Sequence, residues 1–302
     1  MTQLRDKFSA NLHGIIYMIV ATALLTGMSA LARVVGEELH PFQVAFFRNF
    51  LGFFLMAPLF LRYGLAPLKT KKMGLMVARG IFNGAAMLMF FMALGMMPLA
   101  EISALSFTIP LFVALLAVFL LKEKMGPRRT ISLIVGFSGA VIIVRPGFEI
   151  IDLGAVLALA SAASWAIAVI VIKQLSRTDS SITITLYGLL FLTLFTLPPA
   201  LLFWEWPTGE QYLWLLGVAA TGTIGQILFA QSLKNADATL VMPFDFTKLL
   251  WAALIGVVFF AETPTIWTLG GGLVIFVSAT YLTYREGREG KDGKNLSEAG
   301  AA

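Results

Sequence analysis

The chain has 302 residues, of which 58% are hydrophobic and only 13% charged, and its mean hydropathy is +0.85. Soluble globular chains are about a quarter charged, so these values exclude a soluble domain and point to an all-α polytopic membrane protein, with length for about ten helices of roughly 20 residues. Zero cysteines exclude disulfides, thiolate nucleophiles and Cys-ligated metals, and the two histidines, His13 and His40, are too few for a multi-His metal centre.

Residues 1–12 form a short polar lead with Arg5 and Lys7, and 13–32 the first predicted span. A basic lead, an apolar stretch and Ala30-Leu31-Ala32 also fit a cleavable leader. Removing it, however, leaves the first half of the chain one helix short of the second. Further spans are predicted at 42–62, 74–97, 99–121, 130–145, 153–173, 182–204, 211–233, 238–260 and 265–284. Turn chemistry and charge mark the breaks, among them Gly36 to Pro41, Lys122 to Arg129, Arg145-Pro146-Gly147 and Thr263-Pro264. The tail, 286–302, is charged and Gly-rich and is expected to be disordered.

Lys and Arg set the orientation. With the N-terminus in the cytoplasm, 17 of the 22 basic residues fall on cytoplasmic segments, two (Arg33 and Arg145) outside, and three (Arg48, Arg79 and Lys248) within spans. That bias fits ten spans with both termini inside. It also accounts for the net charge of +5 by loop topology, with the lipid bilayer as partner and no nucleic acid.

The ninth span echoes the fourth. Shifting by 139 residues lays 105–123 under 244–262 with seven identities in 19 positions, including Phe107/Phe246, Thr108/Thr247 and Glu123/Glu262. An internal duplication with five spans per copy places the second copy upside down relative to the first. Two inverted five-helix repeats are the geometry of alternating access.

These stretches resemble the drug/metabolite transporter superfamily, in its ten-helix branch of two EamA-type repeats. The resemblance is carried by AFFRN at 45–49, by SFTIPLFVALLAVFLLKEK at 106–124 followed by GFSGAVIIVRPG, and by PFDFTKLLWAALIGVVFFAETP at 243–264 followed by LGGGLVIF. It covers about residues 10–285 and implies repeats over 10–145 and 150–285, a multi-pass place in the bacterial inner membrane, and transport of a small-molecule substrate without a cofactor. HPFQVAFFR and SFTIPLF are similar to the branch of riboflavin transporters and S-adenosylmethionine uptake transporters. That similarity implies riboflavin uptake, with S-adenosylmethionine, or an amino acid or other metabolite including by export, as alternatives. An intramembrane enzyme needs an activated nucleophile or a metal, and the chain has no HExxH, GxSxG or Walker loop. Without an ATP-binding motif, transport is expected to be secondary or facilitative.

Seven residues are candidates for substrate binding; no metal site and no catalytic group is expected. Arg48 lies within the second span, with Tyr187 at its repeat mate. A guanidinium there can bind a carboxylate, phosphate or ring carbonyl, or it can cap carbonyls and snorkel. Asp245 and Lys248 are three apart in the ninth span and share a helix face, either as a site or as a pair locking two helices. Asn83, Trp165 and Gln226 are polar or aromatic groups inside their spans, where amides serve substrates or link helices. Glu101 and Arg79 lie close to span ends and read as structural; Glu123 and Glu262 are expected to cap or tether. Small residues at Gly80/Gly84, Ser132/Gly136 and Gly270 to Gly272 mark close helix packing or a homodimer face.

Overall fold

The structure is a computed structural model and describes residues 2–56, 70, 72–121, 127–145, 152–175, 178–179, 181–235 and 242–299. Among these residues there is no strand. The helices are α1 (Thr2–Gly36), α2 (Pro41–Leu55), α3 (Met73–Leu94), α4 (Leu99–Ser106), α5 (Ile109–Leu121), α6 (Pro127–Val144), α7 (Leu153–Leu175), α8 (Ser181–Leu201), α9 (Gly209–Asn235), α10 (Thr247–Phe260) and α11 (Ile266–Ala299). A 3₁₀ turn, Met242–Phe246, leads into α10. Six of the described segments are long and apolar enough to cross a bilayer, and shorter apolar helices cover Thr130–Val144 and Ile266–Tyr281.

The outer faces of these helices are apolar. Ile134, Leu213, Val258 and Phe259 are 65%, 71%, 62% and 76% exposed. A water-soluble protein does not leave such faces bare; hydrocarbon covers them at no cost. Trp206, Tyr212 and Trp267 are exposed near the ends of α8, α9 and α11 on the face that the charge bias assigns to the outside. Amphipathic aromatic rings favour this headgroup level.

Two predicted spans are broken. Residues 99–121 form α4 and α5, and the ninth span begins as the 3₁₀ turn. Pro110 has no N–H to give to the Ser106 carbonyl, so the helical ladder fails there. The gap is closed by tighter bonds: the Phe107 N–H donates to Ala104 O at 3.1 Å and the Thr108 N–H to Leu105 O at 3.0 Å. The Thr108 hydroxyl also donates to Leu105 O, at 2.6 Å. Its mate, the Thr247 hydroxyl, donates to Phe244 O at 2.7 Å. The mates Phe107 and Phe246 stack on each other, centroids 5.7 Å apart. The two broken helices thus meet at their breaks, near the axis that relates the halves.

The packing has the same symmetry. α1 packs along α9, and α3 along α7, which are mated pairs under exchange of the halves; α2 with α8 and α6 with α11 are each their own mate. At the last crossing, Gly139 faces Gly271 so closely that a Cβ on either would meet the other's carbonyl. Shifted by 139, this pair becomes Ser278 and Ser132, and the Ser278 hydroxyl donates to the Ser132 carbonyl. Gly80 and Gly84 lie against Phe191 and Phe195 of α8. Gly80, Gly84, Gly136 and Gly271, from all three small-residue stripes, are therefore used for contacts within one chain.

The charged stretch from 286, expected to be disordered, continues α11 through Ala299. Arg, Glu and Lys are good helix formers, and a preceding span supplies the nucleus that a free tail lacks. Residues 57–62 of the second predicted span and 238–241 of the ninth lie outside the described residues, as does Glu123.

Candidate functional site

A cavity of about 260 Å³ lies between the two halves. Nine of the described helices contribute to its wall: α1 to α5 from the first half, α7, α8 and α9 from the second, and α10 beyond the ninth-span break. Five of the seven predicted site residues line it: Arg48, Asn83, Trp165, Gln226 and Lys248. They are separated by up to 200 positions in the sequence, and the crossing of α2, α3, α7, α9 and α10 brings them together.

Arg48 is 4% exposed. Its Nη1 donates to the Asn49 side-chain oxygen at 2.9 Å, while Nε is buried without an acceptor. Asn49 is held in turn by its amide, which donates to Ala45 O at 2.9 Å. Gly222 of α9 makes room for Met28 and this guanidinium; a Cβ there would lie 2.6 Å from Met28 Sδ and 3.3 Å from Arg48 Nε. Asn83 is buried against the cavity and makes no hydrogen bond among the described residues.

Lys248 Nζ lies 3.4 Å from Asp245 Oδ1. Although the two are close as an ion pair, Asp245 Oδ1 accepts no hydrogen bond. Lys248 faces the cavity and Asp245 stands outside its wall. Thr247, beside them, bonds to Thr22 of α1 across 2.7 Å, which ties the ninth-span break to the first span. Tyr187 does not line the cavity. It stacks on Phe191 and packs with Met76, Leu175 and Ile184 in a separate apolar cluster.

Arg79, read as structural from its position near a span end, also lines the cavity. It is 9% exposed, its Nη1 donates to the Ile184 carbonyl, and its Nε has no acceptor. Gly188 of α8 lets it approach; a Cβ there would lie 2.8 Å from Arg79 Cζ. The signal for Arg79 was its spacing: it is four residues before Asn83, so the two share one helix face. Each cavity arginine therefore comes from the first half and lies on a glycine of the second.

Contacts tie the two halves together at both ends of the bundle. At the end the charge bias assigns to the outside, the His40 ring stacks on Phe203 at 3.8 Å. Gln43 and the Glu205 backbone exchange two hydrogen bonds there, and Gln211 donates to Glu38 at 2.7 Å. Glu262 tethers as expected: it pairs with Arg33 at 2.5 Å and accepts from the Leu99 N–H, the first of α4, at 3.0 Å. At the other end, Asp179, the repeat mate of His40, is bonded to Thr70. The Thr70 and Thr178 hydroxyls, with the charge of Lys72, hold its carboxyl below the usual carboxylate range. Burial holds the His40 imidazole below its ordinary value of 6.5. No group of His or acidic side chains suited to a metal occurs among the described residues.

A cavity lined by both halves of a bundle of apolar helices, with contacts between the halves at each end of the bundle, fits a small-molecule transporter. The chain matches the EamA-like transporter family over residues 12–145 and 152–284, and belongs to it. Three curated relatives illustrate its range. The S-adenosylmethionine uptake transporter of Rickettsia felis is 26% identical, covering 94% of this chain and 96% of that protein. The riboflavin transporter of Vibrio cholerae is 32% identical, covering 66% and 67%. The pseudopaline exporter of Pseudomonas aeruginosa is 27% identical, covering 89% and 95%. All are transporters, and this chain is a transporter and not an enzyme.

Proposed function

We propose that this protein is a secondary or facilitative carrier of the bacterial inner membrane, and that it moves one small organic metabolite through the central cavity by alternating access. The observation that carries this reading is the cavity itself, which both halves line and whose two ends are held by contacts on mated positions, His40 and Asp179. Opening one end while the other stays shut requires only that one set of contacts breaks. A bundle whose halves are inverted copies can reach the opposite arrangement by exchanging the conformations of its halves.

Riboflavin uptake is the finer reading. It rests on the sequence resemblance, and Trp165 and Phe90 give the cavity aromatic surface on which a flat ring can stack. The test is growth of a riboflavin auxotroph on low external riboflavin, with and without the gene. Growth that depends on the gene is expected. If growth is unchanged while vesicles take up S-adenosylmethionine or an amino acid, riboflavin is the wrong passenger and the carrier reading stands.

A further inference from the structure

We propose that the cavity holds its passenger by a carboxylate or phosphate on Arg48 and Arg79, and so selects for negative charge. This rests on the carrier reading above and names the class of passenger. Three cationic side chains line the cavity, Arg48, Arg79 and Lys248, and no carboxylate lines it among the described residues. Lys248 has its counter-charge in Asp245, 3.4 Å away. The two arginines have none: neither has a carboxylate partner among the described residues, and both are at least nine-tenths buried.

A guanidinium has five N–H donors in a fixed fork. Arg48 gives one hydrogen bond to the Asn49 side chain and Arg79 one to the Ile184 carbonyl. In both, Nε is buried with no acceptor. A buried cation held only by neutral oxygens keeps most of its desolvation cost. The group that removes this cost and fits the fork is an oxyanion, bound through two parallel N–H bonds. The amide of Asn83, one turn from Arg79, is unpartnered on the same wall and can donate to a further oxygen of such a group.

The geometry also links binding to motion. The arginines belong to the first half, and each lies on a glycine of the second, Gly222 for Arg48 and Gly188 for Arg79. An anion that draws either guanidinium away from its glycine acts where the halves slide past each other. S-adenosylmethionine would bring an amino-acid carboxylate to these two positive charges together with a sulfonium and an ammonium that they repel. Neutral riboflavin would gain nothing from them, whereas riboflavin 5′-phosphate presents the same ring with the anion added.

The test uses the full-length purified protein and matched probes: riboflavin with riboflavin 5′-phosphate, and succinamide with succinate. Binding is read as ligand-induced thermal stabilisation, and flux as uptake into proteoliposomes. Each anion is expected to half-saturate at a concentration at least about tenfold below its neutral mate, the scale of one charge-assisted hydrogen bond. Arg48→Gln and Arg79→Gln should each erase most of that ratio, and Arg48→Lys and Arg79→Lys should keep part of it. Equal binding of neutral and anionic mates overturns the inference. So does a ratio that survives both Gln variants, or a folded protein that binds no anion. If the Gln variants do not fold, the wild-type ratio decides alone. Flux of a neutral passenger without anion preference removes the anion site and leaves the carrier; anion binding without flux of any probe does the reverse.

Discussion

Gly139→Ala gives a sharp test of how the two halves meet. A Cβ at this position would lie 2.7 Å from the Gly271 carbonyl oxygen, 2.7 Å from Ile275 Cγ1 and 3.0 Å from the Ile275 backbone nitrogen. Two of these atoms are backbone, so no rotamer change relieves them. To reach ordinary contact near 3.5 Å, α6 and α11 must part by about 0.8 Å. Overpacking of this kind costs about 1–3 kcal/mol. Parting also strains the buried hydroxyl bond from Ser278 to Ser132 on the mated side, which adds about 1 kcal/mol. Ala in place of Gly returns about 1 kcal/mol of helix propensity. The net expectation is a loss of about 1–3 kcal/mol. Gly27→Ala is the control, since nothing lies within 4 Å of a Cβ there. It receives the propensity gain without the clash. Scanning fluorimetry of the purified variants in one detergent should show a melting temperature lowered by several degrees for Gly139→Ala and not lowered for Gly27→Ala. Equal melting of the two variants would refute the packed crossing.

Other expectations follow from the site and its surroundings. If Lys248 meets the passenger, Lys248→Met should cut uptake while folded yield holds, Asp245→Asn should alter affinity or pH dependence, and the pair should be strongly non-additive. Loss of folded protein in both single variants, with yield and uptake recovered in the double, would make the pair structural. Reporter fusions after Arg129 and Lys234 should read cytoplasmic and those after Arg145 and Glu210 external; a cytoplasmic reading after Arg145 breaks the ten-span account. The folded pKa of His40 lies below its ordinary 6.5, so the folded state takes up this proton less readily than the unfolded one. Its contribution to stability is then full above pH 6.5 and falls as pH drops through the folded value. His40→Phe keeps the stack on Phe203 and should lose less melting temperature than the parent between about pH 7 and about pH 5; identical losses would rule out His40 as the source.

Most of the architecture was legible because hydropathy and charge act locally. Apolar runs marked the spans, and one fixed shift of 139 residues exposed the repeat. The breaks in the fourth and ninth spans were harder to read. Pro110 stands inside an apolar run, and only its missing bond to Ser106 separates α4 from α5. The site was legible in part for a related reason. A polar group inside a span signals a cavity or a partner, but the helix rotation that decides between them is tertiary. Tyr187 was placed on the site by symmetry with Arg48, yet it turns into an apolar cluster. Arg79 was set aside for its nearness to a span end, although it shares a face with Asn83 and reaches the cavity over Gly188. Glycines on facing helices were the missing signal, because they show where a long cation can lie between helices.

Solute counterflow in proteoliposomes bears most directly on the carrier. Vesicles holding the purified protein are loaded with unlabelled passenger from the probe series and diluted into a trace of the labelled form. An alternating-access carrier exchanges the two, so label should accumulate transiently above equilibrium, and Arg48→Gln should abolish the overshoot for anionic probes. Label that binds one-to-one to the protein and never enters the vesicle lumen, or that enters without an overshoot, would contradict the account.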